Sequence, residues 1–353
     1  MGKVTMKDIA AKLNISINAV SLALNGKPGI SEETKKLVLD VAEKIGYLDR
    51  SPKFIQSFAS KNICALIKQS HFEDSTFYSK ILMSIVEEAR KKGYDVITCI
   101  VNEDEQNIPS CIESKKVCGI IIISAIDDDY LIKLKEFELP VVLVDHASLL
   151  ENTDSILTNN KLGSFKITKL LLDKGYTKIG FFGDLEYSLS IKERFFGYQE
   201  AIKKFIKFDD KDGIADFIND YSILSDLESY IINQDSEGIQ KKISQMDNIP
   251  EAFVCSNDNA AIMLITSLKE LGYEIPKDIS VVGFDDIILS SLVMPKVTTV
   301  RVQKELMGKN AVNRLLWRID HKDAPNEDIV MGVDIVERDS VGIKNIMENE
   351  QKN

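Results

Sequence analysis

Apolar residues recur at three- and four-residue spacing through the first 45 positions, then give way to short apolar runs separated by helical stretches. Ile9, Ala10 and Leu13 make one helical face behind Thr5, which can cap a helix whose first turn holds Asp8. Asn14-Ile15 breaks the pattern. Ser16 caps a second short helix with Val20, Ala23 and Leu24 inward, leaving Ile17, Asn18, Ser21 and Leu22 outward. Ser31-Glu32-Glu33 opens a third helix with Leu37, Val38, Val41 and Ile45 inward. Caps, turn spacing and an exposed second helix agree on a helix-turn-helix, a unit that lays one short helix in a DNA major groove. A small helical bundle of no special purpose is the alternative, and it would not require that agreement.

Beyond residue 60 the period changes. Strands are predicted at 63–67, 94–101, 117–124, 140–145, 178–183, 253–255 and 279–284, and helices at 77–92, 131–137, 162–174, 191–205 and 260–271. Val117 to Ser124 is a continuous apolar run, as suits a strand covered on both faces. Repeated strand-helix units imply doubly wound parallel sheets. Two such series imply two similar lobes with a cleft between them, and ligands of such sheets sit at the carboxyl ends of the strands. Residues 206–240 are polar and acidic, with weak periodicity, and fit neither series.

Composition narrows the class. The 353 residues allow two or three domains, and 44% hydrophobic content is ordinary for a globular protein. No apolar run reaches the length of a membrane span, and the N-terminus lacks a signal core, so a cytoplasmic location with no membrane contact is expected. The five cysteines (Cys64, Cys99, Cys111, Cys118, Cys255) form no C-x-x-C pair, and His71, His146 and His321 are scattered. Reduced core cysteines are expected, with no metal site and no cofactor. The net charge of −11 is unevenly placed. Residues 1–60 carry nine basic and six acidic side chains, a net of +3, which leaves 35 basic against 49 acidic in the remainder. A +3 headpiece is a weak electrostatic anchor, which argues for two headpieces on two half-sites.

The ordered motifs resemble those of the lactose-repressor (LacI) family from Val4 to about Ser340. The headpiece carries V-T-x-x-D-I-A, then Ile15-Ser16, Val20-Ser21 and Leu24-Asn25-Gly26, then Ser31, Thr34, Val38, Ala42, Gly46 and Tyr47. The body carries K-G-Y, Glu193-Arg194-Phe195-Phe196-Gly197-Tyr198, Ser256-Asn257-Asp258 and Val281 to Asp286. The resemblance implies an α/β chain: a three-helix helix-turn-helix headpiece (1–48), a hinge or linker (49–61), and a two-lobed body like periplasmic binding proteins (62–340). A polar tail (341–353) follows, without leucine heptads. It further implies a sequence-specific regulator, in the first instance a repressor. The expected partners are near-palindromic double-stranded operator DNA, a small-molecule effector, foremost a sugar, and a second copy of the chain.

Candidate DNA contacts are Thr5, Ser16, Ile17, Asn18, Ser21, Leu22 and Asn25. An asparagine pairs bidentately with adenine, Ile17 suits a thymine methyl, and Leu22 stands where many relatives carry arginine. Relatives continue with N-x-x-A-R-x-L, a hinge helix that wedges a leucine into the minor groove. Here Leu48 to Phe58 departs from that pattern; Pro52 suits a helix start, and Ile55 or Phe58 is the candidate wedge. An ordinary linker is the alternative. Candidate effector contacts are Phe77, Tyr78, Asp145, Ser190, Arg194, Asn257 and Asp285. Arg194 offers a planar fork to hydroxyls or a carboxylate, and Asp285 ends a buried strand. Asp258 and Asp286 read as helix caps, and Phe77 reads equally as core or pocket.

Effector binding is expected to change the angle between lobes and so the spacing of the headpieces. Three other classes compete. A catabolite-control-type regulator would take a phosphorylated carrier protein as co-repressor, but would not need a polar cleft. A transporter's solute-binding protein would need no helix-turn-helix. An enzyme is not expected, because no phosphate-binding glycine loop or catalytic triad pattern occurs.

Overall fold

Three helices open the chain: α1 (Met6–Leu13), α2 (Ile17–Leu24) and α3 (Glu32–Lys44). The computed structural model describes residues 4–24, 29–45, 47, 61–73, 77–102, 107–208 and 213–344. Local chemistry sets each helix end. Thr5 donates from its backbone N–H (2.6 Å) and its hydroxyl (2.8 Å) to the Asp8 carboxylate. Asn14 ends α1 in the left-handed conformation at φ 54°. Ser16 Oγ accepts from the Ala19 N–H (3.0 Å), and Ser31 Oγ from the Thr34 N–H (3.1 Å). Ile9, Ala10, Val20, Ala23, Leu24, Val38 and Ala42 form the headpiece core. Leu37, expected inward, is 52% exposed. The inward stripe of α3 runs through Val38, Ala42 and Ile45, and Leu37 lies beyond its edge.

The body begins with β1 (Asn62–Lys68), α4 (Gln69–Glu73), α5 (Tyr78–Lys91), β2 (Asp95–Val101), α6 (Ser110–Glu113), β3 (Ile120–Ile123), α7 (Asp128–Lys135), β4 (Val141–Val144) and β5 (Asp154–Thr158). It continues with α8 (Asn160–Asp173), β6 (Ile179–Phe182), α9 (Leu189–Phe205), α10 (Gly213–Tyr221), α11 (Glu228–Ile232), α12 (Ser236–Ser244), β7 (Ala252–Cys255), α13 (Asp258–Glu270), β8 (Ser280–Asp285) and β9 (Thr298–Arg301). Last come α14 (Lys304–Asp320), β10 (Asp328–Met331) and β11 (Asp334–Val336).

Two sheets result. The first runs β10-β5-β4-β3-β1-β2 and is parallel throughout. The second runs β11-β9-β8-β7-β6 and is parallel except for β11, which pairs antiparallel with β9. The chain therefore passes between lobes three times: after β5, after β9 and between β10 and β11. The predicted strands and helices stand within a few residues of their expected places. Unread in the sequence were the short helices α4 and α6, strand β5 and everything after β8. Residues 206–240, which fitted neither series, contribute α10, α11 and the start of α12; Ile223, Leu227, Ile231 and Ile239 bury against the second sheet.

A buried ion network fixes α14 to the first lobe. Asp154, 1% exposed on β5, accepts from Arg314 Nη2 (2.7 Å), Arg318 Nε (2.7 Å) and Arg318 Nη2 (2.9 Å), and from the Glu327 N–H (2.9 Å). Burial alone would raise this carboxyl, but the bonds from Arg318, Arg314 and Glu327 outweigh it and hold it below the usual range. Among the described residues no helix is long and apolar enough to cross a membrane.

Candidate functional site

The carboxyl ends of the body strands carry polar residues in uncommon conformations. Ser124 after β3 (φ 75°), Asp145 after β4 (φ 60°), and Asp285 (φ 109°) with Asp286 (φ 51°) at the end of β8 all adopt positive φ without being glycine. Such positions cost free energy and persist where the surroundings over-determine them, typically at ligand sites.

Arg194 is the centre of the second lobe's share. The Ser188 hydroxyl accepts from the Ile191 N–H (3.3 Å) and starts α9, which places Arg194 in the second turn, 4% exposed. Its Nε donates to Asn160 Oδ1 (2.9 Å), its Nη1 to the Ser256 carbonyl (2.6 Å) and its Nη2 to Asp285 Oδ1 (3.0 Å). The guanidinium lies over the Phe284 ring at 3.9 Å. Asn160 is itself fixed, donating to Glu193 Oε2 (2.9 Å). Gly197 explains how α9 comes so close to α8. A Cβ there would stand 2.1 Å from the Lys161 carbonyl oxygen, so any side chain would push Arg194 away from Asn160.

The first lobe offers Tyr78 and Asp145. Tyr78 donates its hydroxyl to Asp145 Oδ2 (3.3 Å), and His71 packs edge-on against Tyr78 at 5.0 Å while bonding Ser124 Oγ (2.8 Å). Burial and the Asp145 and Asp285 charges push the Tyr78 phenol well above its ordinary value, so it stays a donor. Asp145 is pushed up to about 7 by burial, against the pull of Arg194 and with the repulsion of Asp285 and Glu193. The Arg194 and Asp285 charges of the second lobe thus lie near enough to bear on Tyr78 and Asp145 of the first.

The remaining candidates take different places. Ser190 is half-buried one turn before Arg194. Asn257 caps α13, its Oδ1 accepting from the Ala260 N–H (2.8 Å), which leaves its amide N–H groups for other partners. Asp258, expected as a cap, is fully buried instead; it accepts from Thr299 Oγ1 (2.5 Å) and the Ile287 N–H (2.9 Å), tying β8 to β9. Asp286, also expected as a cap, pairs with Arg301 Nε (2.6 Å) and with Arg338. The two corrections have separate causes: Asn257 occupies the capping position for α13, and the short 3-10 helix Ile288–Ser291 that follows Asp286 starts from Ile287, leaving Asp286 to the arginines. Phe77 is 6% exposed in the core cluster, with the Lys304 ammonium 5.4 Å above its ring.

Three residues of this site escaped sequence reading. Asn160 follows the unread strand β5. Lys304, 2% exposed at the head of α14, donates its ammonium to the Asp285 carbonyl and to the Asp286 carbonyl (3.2 Å). Glu228 in α11 is 7% exposed, and among the described residues its Oε1 has no hydrogen-bond partner. Burial and the Asp184 charge push Glu228 up to about 7, with Arg194 acting in the opposite sense. An acid at the start of a short helix inside a weakly periodic stretch gave no signal.

On the headpiece, Thr5, Ser16, Ile17 and Asn18 are exposed, and Ser21 and Leu22 are half-buried on the same outer side of α2. Asn25, Ile55 and Phe58 lie outside the described residues. Among the described residues one group has three metal-ligating atoms together: Cys64, Cys99 and Cys111, in the first lobe and apart from the cleft. Their sequence spacing gave no hint of it.

Two family profiles match the chain: that of bacterial regulatory proteins of the lacI family, over residues 5–49, and that of the periplasmic binding protein-like domain, over residues 168–341. The HTH-type transcriptional repressor PurR of Aliivibrio salmonicida (strain LFI1238) is 29% identical over 343 residues, covering 96% of this chain and 98% of its own. Among solved structures, the lac repressor dimer bound to operator and the anti-inducer ONPF is 21% identical with a TM-score of 0.63, covering 97% of this chain and 100% of its own. The transcriptional regulator CelR–cellobiose complex is 18% identical with a TM-score of 0.64, covering 96% and 99%.

Proposed function

The chain belongs to the LacI family of bacterial regulatory proteins, a ligand-controlled DNA-binding repressor by that membership, and on this premise we propose what controls it and how it reads DNA. A homodimer places two copies of α2 on the half-sites of a near-palindromic operator, about 34–36 Å or a multiple apart. Asn18 and Ile17, exposed at the start of α2, read base edges, while Thr5, Ser16 and Ser21 serve the phosphates. The effector is a small uncharged polyol, foremost a sugar, held between Tyr78 and Asp145 on one lobe and Arg194, Asp285, Asn257 and Glu228 on the other.

The observation that carries this reading is the Arg194–Asp285 pair, buried and rigidly braced yet acting on Asp145 across the cleft. The acceptor-rich surroundings give the chemical class. Asp145, Glu228 and Asp285 suit hydroxyl donors, and their proximity repels a phosphate or carboxylate. CelR, the structural neighbour with cellobiose bound, is in keeping with a sugar. Closing the lobes on the effector alters the spacing between headpieces. A coupling of about 1–3 kcal/mol between the two sites is the usual scale for such a response.

The test begins with an operator selected from a randomised duplex pool. Its affinity for full-length protein is then measured by fluorescence anisotropy, with and without mono- and disaccharides, sugar phosphates and nucleobases. A neutral sugar should shift the affinity, and Arg194→Ala or Asp285→Ala should abolish that shift while leaving effector-free operator binding intact. Unchanged ligand affinity in both variants would remove these residues from the cleft. Asn18→Ala should weaken specific binding by about 1–3 kcal/mol and spare non-specific binding. Equal loss on both would reassign Asn18 to phosphate contact.

A further inference from the structure

We propose that Cys64, Cys99 and Cys111 form a three-sulfur site for a trivalent thiophile of the arsenite class, separate from the effector cleft. The residues come from three elements. In β1 and β2 the parallel register sets Cys64 opposite Ile97, so Cys99, two residues on, lies diagonally on the same face. Cys111 reaches that face from α6. The three Sγ atoms lie within 4.8 Å of one another, and Cys99 Sγ stands 3.4 Å from Cys111 Sγ. All three are free thiols. Cys64 and Cys111 are buried, and Cys99 is half-buried, which leaves a way in.

The donor set and its surroundings select the ligand. An all-sulfur set favours soft ions over magnesium, calcium or manganese. Zinc in a closed structural site takes four ligands, and among the described residues there is no fourth beside these three. The cluster around them is apolar, with Leu66, Ile112, Ile120 and Ile122 in its buried part and Ile97 and Ile108 against it. Net charge is costly there. Three thiolates on Cu(I) would bury two negative charges, and on Zn(II) one. Three thiolates on a trivalent centre bury none. The exchange balances without redox: As(OH)3 reacts with three S–H groups, three As–O bonds break, three As–S bonds form, and three waters leave carrying the thiol protons. Arsenic stays trivalent throughout.

The experiment uses reduced full-length protein titrated separately with sodium arsenite, Cu(I) and Zn(II), followed by native mass spectrometry and arsenic X-ray absorption. The expected result is one arsenic per chain with three sulfur neighbours and no net release of protons, whereas Cu(I) or Zn(II) displacing the same thiol protons would acidify the solution. Cys118→Ser should behave as wild type, while Cys99→Ser and Cys111→Ser should each weaken uptake at least a hundredfold. Cys99 is only half-buried, so its serine variant tests the site without emptying the core around Cys64. Equal uptake by Cys99→Ser, two-sulfur coordination, tighter binding of Cu(I) or Zn(II), or a Cys99–Cys111 disulfide formed in place of the adduct would each overturn the assignment.

Discussion

Asp154 and Asp285 are both buried aspartates paired with arginine, yet their surroundings differ in one respect. Asp154 sits in a closed set: two arginines and a backbone N–H use its oxygens, and its carboxyl is held below the usual range. Arg194 beside Asp285 is braced as well, but the acids around the pair are not neutralised. Among the described residues Glu228 keeps a buried oxygen without a hydrogen-bond partner, and Asp145 and Glu228 are both pushed up to about 7. A carboxylate that serves only the fold is surrounded by enough donors to stay charged. A group of carboxylates with too few donors stores an unmet demand that a ligand's hydroxyls can satisfy.

That contrast can be broken most forcefully at Asp154. Asp154→Ala removes the buried carboxylate that Arg314 and Arg318 share and should cost about 3–5 kcal/mol of stability in urea unfolding, with effector affinity of the folded fraction unchanged. A loss of effector affinity of the same size would merge the two sites into one. The next largest effect separates the arginines. Arg194→Lys loses the fork that reaches Asn160, Ser256 and Asp285 at once, and calorimetry should find effector affinity lower by tenfold or more, about 1.4 kcal/mol. Arg318→Lys should leave that affinity unchanged.

The smallest effect is a slope with pH. Unfolded carboxyls titrate near 4, whereas Asp145 and Glu228 titrate at about 7 when folded. Between those values the folded state binds more protons, so their contribution to stability falls as pH rises from about 5 to about 8 and is level above that. His146, depressed by burial, opposes this with a contribution that increases as pH rises toward its unfolded value. The useful quantity is therefore a difference: thermal midpoints of Asp145→Asn/Glu228→Gln should fall less over this range than those of wild type. Asp154, held low, adds no slope there. Identical slopes would deny the two acids their strained environment.

Legibility followed the physics of each signal. Thr5, Asp8, Ser16 and Ser31 act through bonds spanning three residues, so the headpiece could be read from sequence. Arg194 and Asp285 stood out because one lies in a recognisable E-R-x-x-G-Y element and the other ends an apolar strand. Asn160, Lys304 and Glu228 gain their roles from contacts with residues distant along the chain, and local pattern carries none of that. β10 and β11 are three or four residues long and half-exposed, too short to show a period. The thiol cluster depended on the β1–β2 register, which two strands considered separately do not reveal.

Helix α14 joins the two contrasted sites mechanically. It is 17 residues long, roughly 25 Å at 1.5 Å per residue. Its far half is clamped to the first lobe through Arg314 and Arg318, while its first residue, Lys304, grips the carbonyls of Asp285 and Asp286 on the second. In the proposed lobe closure, a helix anchored at one end and holding the end of β8 at the other would put the pivot beside Asp285. Motion about such a pivot would be least beside Asp285 and greatest at the lobe surfaces farthest from it. On that proposal the amplitude follows from lever-arm length, so substitutions around Asp285 that change ligand choice should leave the movement of those surfaces unaltered.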